Sequence, residues 1–447
     1  MTEKTPIQLS DSFSYSRLIR FVLPSIAMMI FVSIYGVVDG LFVSNFVGKT
    51  PFAAINLIMP LLIIMGAVGF MLGTGGNAIV AKTMGVGDKK LANEYFSLLI
   101  YATIVSGVAL ALLGILCARP IAKLLGAEGE MLEYCVTYAR IVLMALPMFM
   151  LQNIFQNFAI TAEKPKLGLI TTVAAGVTNI VLDALFVAML GWGLEGAAMA
   201  TAISQTVGGT VPLIYFAREN TSTLRLGKTR LHLRMLGFTC VNGSSELMSN
   251  ISASVVTIFY NLQLMRFAGE DGVAAYGAIM YVAFIFVAIF IGFVIGASPI
   301  VSFHYGAGNT EELKSLFKKS VICMSVAGAS MTALALILTV PLCKIFVGYD
   351  PVLYDITKRG FIIYAFSYLI AGLNIFGSAF FTALNNGLVS AVISFLRTLV
   401  FQCVTVLLLP IWLGLDGVWF SIIAAELLSL TVTLVFIITN RKKYHYI

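Results

Sequence analysis

Apolar residues fill this chain in runs on the order of 20 residues long, and short polar turns separate them. The runs fall at about 18–45, 52–83, 94–118, 131–160, 167–190, 194–216, 236–266, 274–305, 315–342, 358–384, 388–411 and 416–439. Each is long enough to cross a bilayer as a helix, the form in which a segment satisfies its own backbone hydrogen bonds in lipid. The pattern predicts an all-α integral membrane protein of twelve transmembrane helices. Strand-length alternation is absent, which excludes an outer-membrane barrel.

A second pattern appears when the chain is slid over itself by about 221 positions. Gly48 to Ala54 then lies over Gly269 to Ala275, Gly85 to Asp88 over Gly306 to Asn309, and Leu194 to Gly196 over Leu415 to Gly417. Gly168 meets Gly387 at an offset of about 219. Two homologous six-helix bundles are implied: an N-terminal lobe at 1–217, a basic cytoplasmic linker at 218–234 and a C-terminal lobe at 235–447. Paired repeats with a site between or within them suit alternating access.

Composition agrees and narrows the reading. Of 447 residues 59% are hydrophobic and 11% charged, too apolar a mixture for an ordinary soluble domain. The net charge of +7 does not indicate nucleic acid, because most of the basic residues fall in turns on one side of the predicted membrane. By the positive-inside rule that side, with both termini, is expected to be cytoplasmic, and the protein to be a multi-pass membrane protein. The six cysteines are scattered without a CxxC pair, so no zinc site or disulfide framework is indicated. The polar N-terminus has no cleavable signal pattern.

Away from the span ends, four acids fall inside spans: Asp39, Asp183, Glu246 and Glu426. An acid facing lipid costs several kcal/mol, so each is expected to face a cavity or a partner. Counted from the outer ends of their helices, Asp39 and Asp183 lie at equal depth, roughly 14 to 15 Å down at 1.5 Å per residue. Thr201 lies at a similar depth. Tyr35 with Asp39, Asn179 with Asp183, and Asn153 with Asn157 are pairs four residues apart, each on one helix face. Such a set suits either of two jobs. Two close carboxylates repel each other's charge, which suits binding and release of a proton, and carboxylate, amide and hydroxyl oxygens together suit Na⁺. The repeat sets Tyr260 over position 39, Gln402 over 183 and Thr398 over 179. The coupling chemistry is therefore expected in the N-terminal lobe alone.

Glu246, beside Ser244, Ser245, Ser249 and Asn250, fits a C-lobe proton site, a counter-charge for a cationic substrate, or a carboxylate tied up by its neighbours' hydroxyls. Glu426 and Arg397 are expected at similar depths and as an ion pair, with Glu246 the other partner open to Arg397. Pro24 invites a bend in the first helix, because it lacks a backbone donor. The three histidines and the glycine turns form no catalytic or Walker constellation. An enzyme is not indicated, nor any cofactor, nor a metal beyond Na⁺ as a coupling ion.

The stretch Tyr35 to Val43 with Asp39 at its centre, the Gly85 to Asp88 turn, Asn157 followed by Glu163 to Lys166, Asn179 with Asp183, and Leu194 to Ala198, together with the repeat, resemble the multidrug and toxic compound extrusion (MATE) family. The resemblance covers essentially the whole chain and is nearest to the bacterial MepA-like branch. It implies a V-shaped pair of lobes that exports organic cations in exchange for H⁺ or Na⁺. Asp39, Asn179, Asp183 and Thr201 match that family's coupling-ion residues, and Pro24 its first-helix hinge. The tenth-helix acid of some branches has no match in the span 358–384. The function expected is secondary multidrug efflux by a monomer, with small amphipathic drugs and the lipid bilayer as partners. The alternative is a flippase for lipid-linked oligosaccharides, for which Arg140 and Arg397 are the candidate cavity cations.

Overall fold

A computed structural model describes residues 7–447, so Lys4, expected on the cytoplasmic side, lies outside the described residues. Every regular element among them is helical: α1 (Tyr15–Phe46), α2 (Lys49–Val86), α3 (Lys89–Leu124), α4 (Gly129–Met144), α5 (Leu146–Thr161), α6 (Pro165–Asp183), α7 (Gly193–Ala217), α8 (Leu233–Gly306), α9 (Thr310–Val347), α10 (Pro351–Ala365), α11 (Tyr368–Ala383), α12 (Gly387–Phe395), α13 (Phe401–Leu413) and α14 (Leu415–Tyr444). The fold class expected from the apolar runs is the one found.

Counted by unbroken apolar helices the spans number fewer than twelve, for local reasons that leave the expectation consistent with the fold. Among the described residues eight helices are long and apolar enough to cross a membrane, and two bent pairs, α4 with α5 at 53° and α10 with α11 at 49°, raise that to ten if each pair is one span. The stretch labelled α8 counts once among these, although Gly269 (φ 59°, ψ −146°) divides it into two helices that match the expected spans 236–266 and 274–305. The span expected at 194–216 is α7, which is long enough but less apolar, because Thr201, Ser204, Gln205, Thr206 and Thr210 interrupt it. The bend between α4 and α5 has a sequence cause in Pro147, which gives no backbone donor to the preceding turn.

The repeat is visible in the turns. Positive φ recurs at matched positions: Gly48 and Gly269, Gly87 and Gly308, Glu163 and Asn385, Gly193 and Gly414. Asp88 caps α3 through the Leu91 N–H, and Asn309 caps α9 through the Glu312 N–H.

Helix α2 packs along both arms of α8, and this contact joins the two halves of the chain. A side chain on Gly75 would stand 2.3 Å from the Thr239 carbonyl, and one on Gly85 would stand 2.0 Å from that of Phe303. Only glycine permits these backbones so close. The seal lies on the face that carries both termini, where Tyr305 meets Tyr444 and Phe13 meets His304. The connector 218–232 is irregular and runs along α3: Asn93 accepts the Arg225 N–H, Ser97 the Gly227 N–H, and Thr229 donates to the Glu94 carbonyl. All six cysteines are free.

Candidate functional site

Asp39 and Asp183, distant in sequence, come together between α1 and α6. Their approach depends on Gly176, three residues before Asn179: a side chain there would collide with Phe31 at 2.5 Å and Tyr35 at 2.9 Å. With hydrogen in that place α1 lies close on α6, and Asp39 faces both Asp183 and Asn179. Asp183 is the last residue of α6, and the backbone widens into a π-helical turn over Ala184–Met189 immediately after it. Single π turns inside α-helices frequently mark functional positions.

The site is closed around Asp183 and Asn179, with Asp39 half-buried, and it is short of hydrogen-bond partners. Asp183 is 0% exposed and Asn179 3%. Neither oxygen of Asp183, nor Oδ1 of Asp39, nor Nδ2 of Asn179 has a partner in hydrogen-bond geometry. Two carboxylates left like this repel each other and lack solvation, a cost of several kcal/mol that a proton or a small cation between them removes. Thr201, on α7, lies against Tyr138 of α4, and Tyr138 is also near both acids. Both line a cavity of about 250 Å³ whose other walls include Met59, Leu62 and Phe149. Tyr138, 2% exposed, is a site neighbour that the sequence reading missed. Its position seven residues into the 131–160 run was the available signal.

The other half supplies an internal control. Tyr260 and Gln402, the counterparts of Asp39 and Asp183, also meet, and the Tyr260 hydroxyl donates to Gln402 Oε1 at 2.9 Å. Tyr260 stacks on Tyr276 at 5.1 Å. The same two positions of the fold therefore hold a satisfied neutral pair in one half and an unsatisfied acidic pair in the other. The counterpart of Asn179, Thr398, donates to the Ser394 carbonyl.

Not every expected residue joins the acid pair. Asn157 donates to the Asn153 carbonyl at 3.2 Å and lies beside Gly73 of α2. No contact between either amide and the two acids is found among the described residues. Glu246 is half-buried, and its neighbours do not tie it up: Ser244, Ser249 and Asn250 all donate to backbone carbonyls. Pro24 lies within an uninterrupted α1, next to the close crossing where Gly292 of α8 meets Ile26 and Gly296 meets Val22.

Arg397 pairs with Glu426 rather than with Glu246. Its Nε and Nη2 donate to the Glu426 carboxylate at 2.8 to 3.1 Å, and Asn374 Nδ2 adds a bond of 2.6 Å to Glu426 Oε2. Glu426 is 2% exposed and the Arg397 side chain 19%, so this is a charge-assisted pair with a buried carboxylate and a partly buried guanidinium.

Comparison with known proteins places the architecture. A family model described as MatE matches residues 24–185 and 247–408. The multidrug export protein MepA of Staphylococcus haemolyticus (strain JCSC1435) is 23% identical over 444 residues, which are 99% of this chain and 97% of that protein. A crystal structure of MATE in complex with MaL6 superposes with a TM-score of 0.92 at 21% identity, over 99% of this chain and 100% of that one. A structure described as the outward-facing conformation of a multidrug resistance MATE family transporter of the MOP superfamily gives 0.93 at 20% identity, over 100% of both chains.

Proposed function

The chain belongs to the MatE family, and from that premise we propose that it is a multidrug efflux antiporter, which exports amphipathic cationic compounds and is driven by inward H⁺ or Na⁺ movement through the Asp39 and Asp183 site. Both termini are then cytoplasmic, and the lobes 1–217 and 235–447 are the bodies that move, joined by the linker 218–234.

One observation carries this reading: the contrast between the unsatisfied acidic pair and its satisfied neutral counterpart, Tyr260 with Gln402. An acid pair inside a span, one member fully buried and the other half-buried, has a use that a polar pair does not serve. Ionised, the pair attracts a cationic substrate; with a proton or Na⁺ bound, its negative charge falls and so does that attraction. Such a difference in affinity between states is what makes exchange possible. Asn179 and Thr201 supply further polar atoms beside the acids. The cavity of about 250 Å³ beside Tyr138 and Thr201 has the apolar and methionine-containing walls that suit an amphipathic ring system.

The oligosaccharide flippase has less support. Phosphate cargo wants free cations in the cavity, and Arg397 is spent on Glu426, while Arg140 is an exposed residue of α4. The test is ion release from purified protein in weakly buffered detergent solution. Adding ethidium should release protons, or displace bound Na⁺, from the wild type and not from Asp39→Asn. Equal release from both would end the assignment of the site.

A further inference from the structure

The segment before α1 is bound by a carboxylate from each half of the chain. The Leu9 N–H donates to Glu163 Oε1 at 2.8 Å, in the turn between α5 and α6. Four residues on, the Phe13 N–H donates to Glu312 Oε1, also at 2.8 Å, in the first turn of α9. Lys319 of α9 donates to the Phe13 carbonyl and, at 2.6 Å, to Ser315. Leu9 is 0% exposed and Phe13 1%. The Phe13 ring stands edge-on to Phe21 of α1 and His304 of α8.

Glu163 is held in place for this contact. It has φ 59°, fixed by its own N–H to the Ile160 carbonyl and the Lys164 N–H to that of Ala159. Its counterpart Asn385 has the same backbone form but reaches across to the other half, where its Nδ2 lies 3.5 Å from the Ala78 carbonyl of α2, whereas Glu163 holds the N-terminal segment of its own half. The strap therefore lies over a face already sealed by the glycine contacts of α2 with α8. It continues directly into α1, the helix that carries Asp39.

We propose that Glu163 and Glu312 are positioning residues of the transport cycle: together they clamp Leu9 to Phe13 across both halves and hold the termini face closed. The proposal rests on the alternating-access reading above. Opening that face moves the two halves apart, and a five-residue stretch bonded to both must release one carboxylate to allow it. Charge-assisted bonds to backbone N–H groups are strong enough to bias such an equilibrium and weak enough to break in each cycle.

Spin labels at Lys90 and Lys314, exposed positions on α3 and α9, report the separation of the halves at this face by pulsed electron resonance in a cysteine-free background. The double variant Glu163→Ala with Glu312→Ala should raise the ratio of open to closed distances roughly tenfold. The Glu163→Gln with Glu312→Gln pair, which keeps an acceptor oxygen at each place, should recover most of the closed population. Glu311→Ala, which removes a neighbouring carboxylate that does not hold the strap, should leave the ratio at the wild-type value. Two distances in unchanged proportion in the alanine double variant would overturn the clamp and leave alternating access standing. A single distance in the wild type under every ion gradient and with ethidium present would overturn alternating access, and the clamp with it.

Discussion

Asp39 and Asp183 occupy the places that Tyr260 and Gln402 occupy in the other half, and the two pairs differ in charge far more than in position. Replacing either acid with its amide keeps the shape and removes the charge. Asp39→Asn and Asp183→Asn should each reach the membrane at wild-type levels and lose ion-coupled efflux at least about a hundredfold, as expected for a group the exchange itself uses; matched expression blots and vesicle transport check this. Tyr138→Phe should be milder, shifting the ion concentration for half-maximal transport by a few fold, because one hydroxyl beside Thr201 is worth about 1 kcal/mol. Arg397→Met or Glu426→Leu alone should destabilise the fold by about 3 to 5 kcal/mol, since each leaves the other charge buried and unpaired. The double change should restore most of the loss, and thermal unfolding of the four proteins measures it. Depth counting from helix ends made Asp39, Asp183 and the Arg397 to Glu426 pair legible in the sequence. It did not single out Asn374, which donates to Glu426, because a lone amide in a long apolar run shows nothing of what it faces across a helix interface. The expected convergence of Asn153 and Asn157 on the acids rested on spacing, which fixes the helix face and leaves open which neighbour that face meets.

At the level of elements, close approach of backbones decides where the helices lie. A side chain at Gly75 would stand 2.3 Å from the Thr239 carbonyl and one at Gly243 would stand 1.9 Å from that of Met71. Gly75→Leu should therefore push α2 and α8 apart at a cost of about 1 to 3 kcal/mol, read as a lower unfolding temperature and a larger Lys90 to Lys314 separation, with Gly75→Ala intermediate. Hydropathy gives the existence of these helices and not their contacts. It places the break between 236–266 and 274–305 where Gly269 interrupts α8, and it misses two bends, merging α4 with α5 and α10 with α11. Pro147 marks the first of those bends in the sequence. The second, at Phe366 and Ser367, has no proline or glycine to announce it.

Across the whole molecule the repeat was the most informative signal, because it converts one half into a prediction about the other. Four matched pairs of turns with positive φ, one matched pair of helix caps and one matched pair of helix-interior contacts follow an offset carried in the sequence by a few glycines and small residues. Orientation, substrate and coupling ion belong to the molecule in its membrane, and the charge bias of the turns and the one-sided acid pair carry the reading of each. The most direct test is ethidium efflux from reconstituted vesicles under an imposed H⁺ gradient and, separately, an imposed Na⁺ gradient, with wild type and Asp39→Asn in parallel. The account predicts uphill ethidium movement in the wild type with at least one gradient, and only downhill leak in Asp39→Asn. Gradient-driven accumulation by Asp39→Asn at the wild-type rate, or none by the wild type under either gradient, would contradict it.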